Sequence, residues 1–135
     1  GKNVLTVAAS ENFRMTGTDG CAIGNTGADN ALDIISFSGR GPTSDSRKKP
    51  EIAAPGTHIQ GAASRATGYD GTGVCNQFWP TTQTLYAWSS GTSHSTPAVS
   101  GFCALIRQWY INHSLTVPSP AMLKAEVVSG ATYMT

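Results

Sequence analysis

A serine that acts as a nucleophile needs its hydroxyl presented at a chain reversal. It also needs backbone N–H donors waiting for the negative charge its attack creates. The segment Gly91-Thr92-Ser93-His94-Ser95-Thr96-Pro97-Ala98-Val99-Ser100-Gly101 offers both. Leu85-Tyr86-Ala87-Trp88 is strand-like in composition, and Ser89, Ser90 and Gly91 after it are small enough for a sharp turn. From Thr96 the pattern is helical: Val99, Phe102, Cys103, Ile106, Trp109 and Tyr110 recur on one face. Pro97 suits a first helical turn, where its missing N–H costs nothing. Ser93 is then expected at or just before a helix N-terminus, beside free N–H groups and the positive end of the dipole. The competing reading is a simple N-cap. Against it stand the small residues Gly91, Ser95, Ala98, Ser100 and Gly101, which predict close packing of the helix start on other backbone.

A second block lies upstream. Ser36-Phe37-Ser38-Gly39-Arg40-Gly41-Pro42-Thr43 is followed by Lys49-Pro50-Glu51-Ile52-Ala53-Ala54-Pro55-Gly56. Together with the serine segment and the opening Asn3-Val4-Leu5-Thr6-Val7-Ala8-Ala9, it resembles the subtilisin-like serine proteases (subtilases), in the family's order. Phe78-Trp79 and Ser119-Pro120-Ala121-Met122-Leu123-Lys124-Ala125 resemble a high-alkaline bacterial branch. The resemblance implies a serine endopeptidase acting on polypeptides through an acyl-enzyme on Ser93. The Ser93 N–H and the Thr92 hydroxyl would then support the oxyanion.

The resemblance also shows what is missing. The family's Asp-[Ser/Thr]-Gly and His-Gly-[Thr/His] motifs have no counterpart here; Asp19-Gly20 and Asp70-Gly71 lack the intervening hydroxyl residue. His94 adjoins Ser93, so on a helix it points about 100° away and makes a poor base. His58 stands where the family has no catalytic residue, and His113 falls near a helix end, where histidines meet the last carbonyls. Asn25 and Asn30 read as turn formers. The chain is therefore expected to be the C-terminal portion of a catalytic domain: residues 1–135 as one incomplete domain, inactive alone, with the catalytic Asp and His supplied by a missing N-terminal half. The alternative is a pseudoprotease or interaction module that keeps the fold without the chemistry. Two other hydrolase patterns fail. Ser95 replaces the last glycine of Gly-x-Ser-x-Gly, and Ser46-Arg47-Lys48-Lys49 lies in a charged loop.

The elements that must position this chemistry read as an α/β protein. Strands are expected near 4–9, 34–37, 51–54, 58–63 and 84–89, and helices near 93–112 and 119–132, the second capped by Ser119 with Pro120 at its first position. Short apolar strands alternating with longer helices favour a sheet with buried faces. The resemblance specifies a partial subtilisin-like, doubly wound, mainly parallel sheet with a central serine helix and an antiparallel pair near 51–63. Residues 10–33 and 63–83 read as loops. Tyr69, Phe78 and Trp79 of the latter cover either the substrate cleft or the core. Without its other half the unit would expose a sheet edge and helix faces, which predicts a homodimer, strand exchange or marginal stability.

Composition narrows the partners. At 135 residues the chain can bury a core. A net charge of +1 with one short basic run, Arg47-Lys48-Lys49, argues against nucleic acid. No apolar run is long enough for a membrane span. Cys103 falls on the apolar helix face and reads as buried. A disulfide between Cys21 and Cys75 is one option and would suit a secreted, extracellular protein. No Cys or His spacing suggests zinc, and no cofactor is required. Calcium enters only as a structural ion implied by the family. Asp19, Asp29, Asp33 and Asp45 are scattered loop acids that more commonly solvate. Glu51 and the Val4 carbonyl correspond to a weak cation site of some members. Asn112-His113-Ser114 is a formal glycosylation sequon.

Overall fold

The computed structural model describes residues 3–134. Two small sheets and two helices carry the chain. β1 (Val7–Ser10) runs parallel to β2 (Ile52–Pro55), with Val7 opposite Ile52 and Ser10 opposite Pro55. The long helix α1 (Thr92–Asn112) lies across this pair. Close approach explains the small residues of β1: Ala8 and Ala9 are buried under the helix, as is Val99 on the helix side.

The second sheet is antiparallel, in the order β3 (Ile59–Ala62), β6 (Tyr86–Ser89), β5 (Asn76–Phe78), β4 (Thr72–Gly73). Its core is aromatic. Trp88 is fully buried, Trp79 stacks on it at 4.2 Å between ring centroids, and Tyr69 meets Phe78 edge-on at 5.3 Å. Tyr69, Phe78 and Trp79 are half-buried, and their contacts support this aromatic cluster.

The short helix α2 (Pro120–Ser129) starts as its sequence predicts. The Ser119 hydroxyl accepts the Met122 N–H at 3.2 Å, and Pro120 opens the first turn. The Tyr110 hydroxyl donates to the Glu126 carboxylate, joining the two helices; this bond pushes the Tyr110 phenol above its ordinary range. His113 meets the Trp109 carbonyl through Nδ1 at 2.8 Å, the expected role at a helix end.

The α/β class holds, but several local expectations are corrected. Residues 34–37 form no strand. Ile34 makes a single bridge to Ser10, and the Ser38 N–H turns back onto the Ile35 carbonyl at 3.0 Å, which ends the pairing. β2 and β3 are not an antiparallel pair. The buried corner Gly56-Thr57-His58 sends them into different sheets, so β2 pairs with β1 and β3 with β6. The 63–83 segment contains a hairpin, with Gly73 opposite Asn76 across the turn Val74-Cys75. Cys21 and Cys75 are bonded, fastening this hairpin to the 11–24 loop. Cys103 is only half-buried, and Phe102 and Trp109 are exposed, because the described strands cover α1 near Val99 and α2 meets it near Tyr110, leaving the stretch between them open. Among the described residues no helix is long and apolar enough to cross a membrane.

Candidate active site

The reversal from β6 into α1 is built from Ser89, Ser90 and Gly91. Gly91 has φ +157° and ψ 157°, a backbone geometry essentially confined to glycine. Four neighbours hold the turn. The Gly91 N–H donates to the Gly56 carbonyl at 2.7 Å. The Ser90 hydroxyl donates to the carboxylate of Asp19 and accepts the His58 N–H at 2.9 Å. The Ser90 N–H points at the Cys21 sulfur at 3.1 Å.

Gly56 is where the two sequence blocks meet. Its N–H donates to Ser10 at the end of β1 at 2.9 Å, while its carbonyl receives Gly91. A Cβ on Gly56 would stand 2.5 Å from Ser95 Oγ and 2.6 Å from Ala9 Cβ. Only hydrogen fits, so glycine is required for the strand, the corner and the serine turn to close on one another. The packing expected from the small residues of the serine segment is thereby located.

Helix α1 begins at Thr92, one residue before the expected span of 93–112. Ser93 is therefore the second helical residue, exposed to solvent, with its N–H in the first turn, where helix geometry provides no acceptor. Thr92 precedes it directly, and its carbonyl accepts the Thr96 hydroxyl at 3.1 Å. Pro97 consequently lies inside the helix rather than in its first turn. It removes the N–H that would bond the Ser93 carbonyl four residues back. The helix has no side-chain N-cap. Ser95 is fully buried, and its hydroxyl has no hydrogen-bond partner.

The histidines do not activate Ser93. His94 Nε2 contacts the Ser89 hydroxyl, which holds the ring on the strand side. His58 is fully buried behind the turn, with Nδ1 2.7 Å from the Arg14 carbonyl and Nε2 2.9 Å from the Ile23 carbonyl. Asp19 is corrected from a solvated loop acid to a buried one. Besides Ser90, it accepts the N–H groups of Cys21 and Ile23, each at 2.9 Å. Asp19 and His58 thus shape the turn from behind rather than relay a proton to Ser93. The sequence placed Ser90 in the turn but gave no sign that Asp19 and His58 hold it.

The cation place implied for Glu51 and Val4 is filled by ammonium groups. Lys49 and Lys124 both donate to Glu51 Oε1, and their Nζ atoms lie 3.0 and 3.2 Å from the Val4 carbonyl. Thr6 supplies its N–H to Glu51 Oε2 at 2.8 Å. Burial pushes the Glu51 carboxyl up, but the bonds from Lys124, Lys49 and Thr6 outweigh it and hold the group well below the usual carboxylate range. Two lysines on one carboxylate oxygen do not fit a divalent cation, so no role is derived for calcium there. Among the described residues no three His, Cys, Asp or Glu side chains come together as a metal site.

Comparison with known proteins agrees with this geometry. The subtilase family model matches residues 1–134. The serine protease/ABC transporter B family protein tagD of Dictyostelium discoideum is 34% identical over 113 residues, covering 76% of this chain and 6% of that protein. The subtilisin-like proteases SBT3.12 and SBT3.16 of Arabidopsis thaliana are 34% and 36% identical, over 75% of this chain and 11% of each relative. The chain thus spans about a tenth or less of the length of these relatives. A parallel strand pair under a long helix, a glycine-locked turn before Ser93 and these matches lead to one conclusion: the chain belongs to the subtilase family.

Proposed function

We propose that the chain is the nucleophile-bearing part of a serine endopeptidase, with Ser93 as the nucleophile. One observation carries the reading: Ser93 is exposed at the start of α1 on a turn fixed by Gly56, Asp19 and His58. Its hydroxyl would attack the carbonyl carbon of a substrate peptide bond. The resulting oxyanion would accept the Ser93 N–H, with support from the Thr92 hydroxyl. A histidine outside the described residues would take the serine proton and pass it to the leaving amine. Water would then hydrolyse the acyl-enzyme. Polypeptides are the substrate class, and the Asp and His come from another segment of the intact enzyme. The disulfide suits a secreted protein. The residues Phe78-Trp79 and Ser119–Ala125 support a place near the high-alkaline bacterial branch.

The uncovered side of α1 favours self-association when the chain is alone, with the partner segment as its competitor. Size-exclusion chromatography is expected to give a dimer; a stable monomer would refute this. No described histidine is free to face Ser93, which keeps a pseudoprotease as the second reading. Labelling of the full-length protein by a fluorophosphonate probe decides between the two. Labelling abolished by Ser93→Ala supports the nucleophile; labelling that persists in the variant, or is absent from the unsubstituted protein, refutes it.

A further inference from the structure

The residues Asn112-His113-Ser114 have the spacing of an N-glycosylation acceptor, and the proteolytic reading makes no use of them. Asn112 is the last residue of α1, and all three residues are exposed. The helix ends here in a Schellman turn. The Ser114 N–H donates to the Ile111 carbonyl at 3.1 Å, and the Leu115 N–H to the Tyr110 carbonyl at 3.0 Å. Ser114 stands at the left-handed position of that turn, with φ +55°. Glycine suits such a position because a Cβ crowds the backbone there, so a serine is the costlier choice.

The fold makes no use of what it keeps at that cost. Ser114 enters the turn through its N–H, and its hydroxyl has no hydrogen-bond partner among the described residues. Asn112 Oδ1 accepts from Gln108 Nε2 at 2.8 Å, while Asn112 Nδ2, the atom that would carry a sugar, has no acceptor among the described residues. This end of α1 is also clear of the serine turn: roughly 28 Å of helix axis separates Asn112 from Ser93. The Cys21–Cys75 bond points the same way, since the export route in which disulfides form is also the one in which such acceptors are modified.

We propose that Asn112 is an N-glycan attachment site, with the Ser114 hydroxyl as the group by which the transferring enzyme recognises it. The co-reactant is an oligosaccharide carried on a lipid pyrophosphate. Asn112 Nδ2 bonds to the anomeric carbon of its reducing-end sugar. The bond from that carbon to the pyrophosphate oxygen breaks, and its electron pair leaves with the lipid pyrophosphate. Nδ2 gives up one proton to a base of the transferring enzyme, and nothing is oxidised or reduced. The inference goes beyond the proteolytic reading and stands whether or not Ser93 is a nucleophile.

The full-length protein secreted from a eukaryotic host cell tests this, with a known glycoprotein from the same cells as control. Peptide mass mapping is expected to find the Asn112 peptide heavier by a glycan. An endoglycosidase that cleaves the Asn–sugar bond is expected to remove that mass and leave Asp in place of Asn112. Ser114→Thr should keep the modification. Ser114→Gly suits the turn and so preserves the fold, yet is expected to abolish the modification. An unmodified Asn112 beside a modified control would overturn the proposal. So would a glycan that persists in Ser114→Gly.

Discussion

The Gly91 N–H and the Gly56 carbonyl are joined at 2.7 Å, and neither residue tolerates a side chain there. Residues 35 apart in sequence thus form one backbone joint between the Ala-Pro-Gly corner and the serine turn. Gly56→Ala is expected to force Ser95, Ala9 and Gly91 apart at a cost of about 1–3 kcal/mol. Thermal unfolding of the variant checks the cost. Fluorophosphonate labelling of the full-length variant should fall even where the fold survives.

Ser95→Ala is expected to go the other way. The Ser95 hydroxyl is buried without a partner, so removing it relieves a desolvation penalty of about 1 kcal/mol. A higher melting temperature with unchanged Ser93 labelling is the expected outcome. Clear destabilisation would mean the hydroxyl has a partner.

Glu51 governs acid stability at the β2 end of the fold. Its carboxyl is held below the ordinary range in the folded chain, starting from 4.5. A depressed carboxyl contributes stability that is present above the unfolded value and lost as pH falls through the folded one. Denaturant midpoints measured downward from pH 5 should therefore decline, and Glu51→Gln should flatten that decline. At neutral pH the variant is expected to lose about 2 kcal/mol. That figure is set below the value for a fully buried pair because the Lys124 side chain is 32% exposed.

The Cys21–Cys75 bond closes a separation of 54 residues. In the chain-entropy picture its removal costs about 2–4 kcal/mol. The paired variant Cys21→Ser/Cys75→Ser is expected to show this in equilibrium unfolding. Proteolytic sensitivity should rise first in the 11–24 loop and the β4–β5 hairpin, which the bond holds together.

Where the sequence carries periodicity or a capping residue, it was legible. The extent of α1 followed from its apolar spacing, and the start of α2 from Ser119 and Pro120. β3 and β6 stood out by composition. The β4–β5 hairpin did not, because Thr72-Gly73 and Asn76-Gln77 lack strand-like alternation and are held by the disulfide and the Tyr69–Phe78 contact. The site was half legible. Ser93 and Thr92 are candidates by their motif alone, whereas Thr57 and His58 are polar residues buried against backbone partners distant in sequence, and Asp19 is tied to the turn through the distant Ser90 hydroxyl. Nothing local to those residues announces such partners. Pro97 was read in the right helix but assigned to its first turn, whereas the helix starts five residues before it.

Trp88 supplies an optical consequence of this arrangement. Its indole is stacked on Trp79 and meets the tilted His58 ring, and it lies five residues before Ser93 on the strand that feeds the turn. Its emission intensity should therefore respond to movement behind Ser93, giving the region a native fluorescent label that requires no added dye.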